Sequence, residues 1–113
     1  MSKIIIKRSN KEIEIVDYKG KFEDMNKLLN LKDLVYTPLE LGVCDLTVAF
    51  NPYHKTDGSK PNFFIYDRYD VVNGDVIIFK SRYDKKKDFY HIIDLTEKDI
   101  KNIIDYMRRE NYV

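Results

Sequence analysis

An α+β domain is the architecture this chain predicts: a mainly antiparallel sheet of about six or seven strands with two helices, in the order β-β-α-β-β-β-β-β-α. Three observations lead there. Phe89 to Asp94 is strand-like and runs into a helix start at Thr96. Asp75-Val76-Ile77-Ile78-Phe79-Lys80 is apolar on both alternating faces, the mark of a central strand covered on both sides. The remaining strand-like runs are joined by short, turn-rich segments that suit hairpins.

The elements follow in order. Residues 3–8 and 12–18 form a hairpin about Ser9-Asn10-Lys11, where Asn tolerates the left-handed conformation. Glu12-Ile13-Glu14-Ile15 alternates, so one face should be buried and the other wet. Gly20 breaks that run. Phe22, Met25, Leu28 and Leu29 then share one side of a short helix over residues 22–30, with Asn30 as its stop. Leu34-Val35-Tyr36 is a short strand ended by Pro38, and residues 45–50 a cleaner one with Leu46, Val48 and Phe50 on one face. Residues 51–62 carry Pro52, Asp57-Gly58, Ser59 and Pro61 and read as the longest loop. A strand resumes at Asn62-Phe63-Phe64-Ile65-Tyr66, and Asn73-Gly74 marks a turn or bulge before the central strand. Arg82 to Asp88, with Lys85-Lys86-Lys87, joins the central strand to the last one as a hairpin. Thr96 and Asp99 are placed for a reciprocal cap, with Leu95 and Ile100 as a hydrophobic staple. Ile100, Ile103, Ile104 and Met107 form the apolar stripe of the final helix.

The 113 residues suit one domain, residues 1–113, and the 43% apolar share suits one core. Charged residues make up 35% of the chain but nearly cancel, at +1. That balance disfavours a strongly basic nucleic-acid protein and an acidic nucleic-acid mimic. Fifteen aromatic residues at low net charge disfavour disorder. Cys44 is the single cysteine, which excludes an intrachain disulfide and points to a reducing setting; the residue reads as a small buried hydrophobe. The opening residues hold only Ile4-Ile5-Ile6 as an apolar run, too short for a signal peptide or a membrane span, so a soluble, cytoplasmic protein is expected.

Few constellations carry chemistry. His54 and His91 have no second His or Cys at metal-ligand spacing, so no metal site and no cofactor are expected. His54 reads as an exposed loop histidine and His91 as a strand residue. Asp67-Arg68-Tyr69-Asp70 places two carboxylates three apart, suited to salt bridging, turn capping or acid–base work. Lys85-Lys86-Lys87, beside Tyr83, Phe89 and Tyr90, can grip a single strand of nucleic acid, although Asp84 and Asp88 weaken its field. The alternative is a solvated hairpin tip that deters edge pairing. Arg108-Arg109 suits the negative end of the last helix. With four glycines there is neither a Walker loop nor a dinucleotide fingerprint. Nine tyrosines, several of them (Tyr53, Tyr66, Tyr69, Tyr83 and Tyr90) near the loop and hairpin, favour protein contacts.

Several segments together resemble a family of small phage- and plasmid-associated domains of unknown function. They are the opening hairpin Ile4 to Arg8 and Glu12 to Ile15, the helix Phe22–Leu29, Pro61-Asn62, Gly74-Asp75-Val76-Ile77-Ile78-Phe79 and Leu95-Thr96-Glu97-Lys98-Asp99-Ile100. The loop at residues 51–59 and the lysine-rich hairpin depart from that pattern. The resemblance carries over no catalytic residues. It implies a mobile-element accessory protein in the cytoplasm of a host cell, one that binds and blocks a host or defence protein.

The leading expectation is a non-enzymatic protein-binding module, an inhibitor of a host protein. Its contact surface would use Tyr53, His54, Lys55, Arg68, Tyr69, Lys85, Lys86 and Lys87. A nucleic-acid or nucleotide binder using the lysine hairpin and its rings is second. An enzyme using Asp67, Asp70 and His54 is third. No membrane partner is expected, and edge strands leave a homodimer open.

Overall fold

The computed structural model describes residues 2–10, 12–39, 45–65 and 70–109. Eight strands lie among them: β1 (Ser2–Lys7), β2 (Ile13–Tyr18), β3 (Val35–Pro38), β4 (Leu46–Phe50), β5 (Pro61–Ile65), β6 (Asp70–Asn73), β7 (Val76–Asp84) and β8 (Phe89–Ile93). A 3₁₀ helix, Phe22–Leu29, follows β2, and an α-helix, α1 (Glu97–Arg109), follows β8. The main sheet has the order β2-β1-β7-β4-β3, with β8 also paired to β7, and β5 and β6 form a separate two-stranded sheet. Every described pair is antiparallel. The α+β class, the mainly antiparallel sheet and the two helices are those expected; β6 is an additional strand.

β7 is the spine of the sheet. Val76, Ile77, Ile78 and Phe79 are all fully buried. Val76 and Ile78 join Ile5, Val48, Phe63, Ile103 and Met107 on one side. Ile77 and Phe79 join Ile4, Ile6, Met25 and Ala49 on the other. α1 and the β5–β6 hairpin cover the first face, and the 3₁₀ helix covers the second. Burying each large side chain contributes about 1.5–3 kcal/mol, so the doubly covered spine is where most of the stability concentrates.

The expected reciprocal cap is present. The Asp99 amide donates to Thr96 Oγ1 at 3.1 Å, and the Thr96 amide donates to Asp99 Oδ2 at 3.0 Å. Lys80 of β7 reaches the same carboxylate at 3.4 Å, pinning the sheet to the helix N-terminus. Along α1 the buried residues are Asp99, Ile103, Tyr106 and Met107. Tyr106 supplements the expected stripe because its ring meets Phe63 at 5.7 Å and its hydroxyl donates to the Phe64 carbonyl.

The segment at 22–29 is helical but tighter than an α-helix. Phe22, Met25 and Leu28 are three apart, the spacing that a threefold helix aligns on one face. Asn30 ends it in the left-handed region, at φ 55°, as expected. Ile15 departs from expectation. It is 52% exposed because β2 is an edge strand; Ile13 packs on one core cluster, and Val16 and Tyr18 on the other.

A buried polar joint ties β1 to the β5–β6 hairpin. Lys7 is fully buried, and its ammonium donates to Asn62 Oδ1 at 2.6 Å and to the Asn62 carbonyl at 2.8 Å. Asn62 Nδ2 donates in turn to the carbonyls of Lys7 and Gly74. Beside it, Arg8 bridges Glu14 and Asp75 at 3.1 and 3.0 Å.

Candidate functional site: a projecting aromatic hairpin

β7 does not stop where its apolar run ends. It continues to Asp84 and pairs with β8 from Lys80–Ile93 out to Asp84–Phe89. β4 accompanies it only as far as Lys80, opposite Leu46. The segment from Arg82 to His91 therefore stands beyond the sheet as a two-stranded arm.

The turn at its tip is tied by Asp84, whose Oδ1 accepts from the amides of Lys86 and Lys87 at 2.9 and 3.2 Å. His91 Nε2 lies 3.3 Å from Asp84 Oδ2. The Lys87 amide foremost, then His91, hold the Asp84 carboxyl below the usual carboxylate range, so it is ionised at neutral pH. Asp88 adopts φ 54° and pairs with the Tyr83 hydroxyl. That pairing raises the Tyr83 phenol above its ordinary value. Lys85, Lys86 and Lys87 all point to solvent from this turn.

Alternation puts Tyr83 and Tyr90 on one face of the arm, 5.2 Å apart between ring centroids. Phe89 and His91 occupy the opposite face, 4.2 Å apart. Tyr90 stacks on Phe22 of the 3₁₀ helix at 5.4 Å, and Phe22 stacks on Tyr36 of β3 at 4.9 Å. The result is a continuous row, Tyr83–Tyr90–Phe22–Tyr36. Its three tyrosines are exposed, Tyr90 to 49%.

The described residues of the expected contact surface are dispersed: the 53–55 loop follows β4 near the Val76 end of β7, and Lys85 to Lys87 lie beyond its other end. Tyr53 is 70% exposed on the β4–β5 loop. His54 is not the exposed loop histidine expected; it is only 7% exposed. Its Nδ1 accepts from the Asn73 amide at 3.0 Å, and its ring packs edge-on against Phe50 at 5.0 Å. Those partners lie on β6 and β4, and no local pattern in the loop signals them. Lys55 reaches across to the Val71 carbonyl. His54 and Lys55 thus pin the loop to β6. Arg68, Tyr69 and Asp67 lie outside the described residues, as does Cys44. Among the described residues, no hydrogen bond, ion pair or ring contact joins the 53–55 loop to the lysine tip.

Phe22 and Tyr36 are the site residues that the sequence reading missed. The sequence places Phe22 on one side of a short helix and Tyr36 in a short strand, and the stack that joins them depends on how β3 lies against the 3₁₀ helix. Among the described residues no three His, Cys, Asp or Glu converge as metal ligands, and no helix is long and apolar enough to cross a membrane. No protein-family model matches the chain, and no match was found among curated proteins or solved structures.

Proposed function

We propose that the protein acts without catalysis, by binding another protein through the β7–β8 arm and the aromatic row at its base. The observation that supports this is the row itself. Four rings follow one another on the surface, Tyr90, Phe22 and Tyr36 stacked and Tyr83 tilted against Tyr90, held by β3, β7, β8 and the 3₁₀ helix, with the three tyrosines exposed to water. Tyrosines fixed in this way offer large contact area at low entropic cost, the character of interface anchors. The resemblance supplies the setting: an accessory protein of a phage-like element that blocks a host or defence protein.

The test compares wild type with Tyr83→Ser/Tyr90→Ser and with Tyr53→Ser in tagged capture from bacterial lysate at low and high salt. A stoichiometric protein that survives high salt, is lost with the arm variant and is kept by Tyr53→Ser supports the proposal. Equal recovery by the arm variant contradicts it.

A second reading has its own observation. Lys85, Lys86 and Lys87 cap an arm with exposed rings on both faces, an arrangement that suits phosphates and stacked bases. It predicts nucleic acid that washes off steeply as salt rises. Asp84 and Asp88, fixed at the same turn, oppose that field, which ranks this reading second.

A further inference from the structure

Among the described residues, β8 pairs with β7 along one edge and with no strand along the other. Two hydrogen bonds show what its other edge presents. The Ser81 amide donates to the Asp45 carbonyl at 3.0 Å, on the β4 side of β7. Within β7, Ser81 and Tyr83 therefore turn their backbone groups away from β8, while Lys80, Arg82 and Asp84 turn theirs toward it. The pairs Ser81–Ile92 and Tyr83–Tyr90 are then the unbonded rungs of the ladder, and Tyr90 and Ile92 direct N–H and C=O outward. The Ser2 hydroxyl, donating to the Ile92 carbonyl at 3.1 Å from that outer side, agrees.

Alongside this edge runs a groove of about 480 Å³ whose lining includes Tyr18, Lys19, Lys21, Phe22, Tyr90 and Ile92. It therefore offers apolar rings beside backbone donors and acceptors. Its charge leans positive, although Asp24 and Glu23 both act on Tyr18 in its wall. Lys19 and Lys21 at the groove, and Lys85, Lys86 and Lys87 at the end of the arm, form no ion pair with any described residue. Glu23 is the acidic residue of the lining. Asp84 and Asp88 are engaged within the arm by turn amides, His91 and Tyr83.

We infer that the outer edge of β8 takes up an extended acidic segment of a partner protein as an added strand. Its backbone bonds to the N–H and C=O of Tyr90 and to the Ile92 N–H, the Ile92 carbonyl already accepting from the Ser2 hydroxyl. Its apolar side chains meet Phe22 and Tyr90, and its carboxylates face Lys19, Lys21 and the lysine tip. Strand addition of this kind draws affinity from main-chain hydrogen bonds and specificity from the alternate side chains. A second copy of this chain would bring the same lysines to the edge, so the charge favours an acidic partner over self-pairing. The inference rests on the protein-binding reading and names the partner's chemistry.

The experiment is an amide-resolved NMR titration of the full chain with three probes: a blocked octapeptide of alternating Glu and Val, the same length of alternating Lys and Val, and oligothymidine. The expected result is shifts centred on the Tyr90 and Ile92 amides with the acidic peptide and none there with the basic one. Lys19→Glu/Lys21→Glu, on an exposed loop, should weaken acidic-peptide binding by roughly tenfold with an unchanged circular dichroism spectrum. Tyr90→Pro should remove binding more completely than Tyr90→Ala, because only the former deletes the outward N–H. Equal response to both peptides, shifts away from β8, oligothymidine in place of the acidic peptide, or concentration-dependent dimerisation at β8 would each overturn the inference. A captured partner that is lost with Tyr83→Ser/Tyr90→Ser but kept by Lys19→Glu/Lys21→Glu would overturn the added strand and leave the protein-binding reading standing.

Discussion

The two halves of β7 share one backbone and almost nothing else. From Val76 to Phe79 the strand is flanked by β1 and β4, and every side chain is sealed beneath a helix or hairpin. From Arg82 to Asp84 it is flanked by β8, and Arg82 and Tyr83 meet water. Lys80, tied to Asp99 at the cap of α1, stands at the boundary. The near half anchors and the far half presents. An exposed aromatic arm is tolerable because the strand that carries it is fixed elsewhere by a core that does not depend on it.

Substitutions in the two halves should therefore separate stability from binding. The largest effect is expected for Phe79→Ala, which opens a cavity under Tyr36 and Phe22 and should cost about 3–5 kcal/mol in urea unfolding. Asn62→Ala removes one acceptor of the buried Lys7 ammonium, which keeps the residue-62 carbonyl, and the amide that donates to the Lys7 and Gly74 carbonyls, and should cost about 2–3 kcal/mol by the same measurement. Thr96→Ala, which removes the α1 cap, should cost about 1 kcal/mol. The smallest change is expected from Tyr83→Ser/Tyr90→Ser, within about 1 kcal/mol for an exposed cross-strand pair, although this is the variant that should abolish partner capture. A loss from the arm variant as large as that from Phe79→Ala would erase the distinction between the halves.

The same boundary has a pH signature. Burial pushes the Asp99 carboxyl up, but hydrogen bonds from Thr96 and Lys80 outweigh it and leave the group below its ordinary value. A depressed folded pKa adds stability that is present above the unfolded value and lost as pH falls through the folded one. Below about pH 4 the wild type should lose stability that Asp99→Asn never had, so the two acid unfolding curves should converge.

The sequence made local and doubly covered features legible. Thr96 and Asp99 announced their cap at a fixed spacing, Asn30 its helix stop, and Val76 to Phe79 burial on both faces. What escaped depended on distant partners. Ser81-Arg82-Tyr83-Asp84 carries no burial pattern, because pairing with β8 rather than a core holds it extended. His54 is buried by Phe50 and Asn73, and Lys7 by Asn62, none of them neighbours in sequence. The candidate site was visible in part. Lys85 to Lys87 and the adjacent rings stood out, while the stack that continues them through Phe22 to Tyr36 exists only once β3 and the 3₁₀ helix are packed.

Residue-resolved native-state hydrogen exchange along β7 and β8 tests the central contrast most directly. The account predicts that the Ile78 amide exchanges only through global unfolding. The Arg82 and His91 amides, each facing the other residue's carbonyl across the arm, should exchange orders of magnitude faster through local opening. Uniform protection from Ile78 to Asp84 would contradict it, since the far half of β7 would then be part of the core and not a surface held out from it.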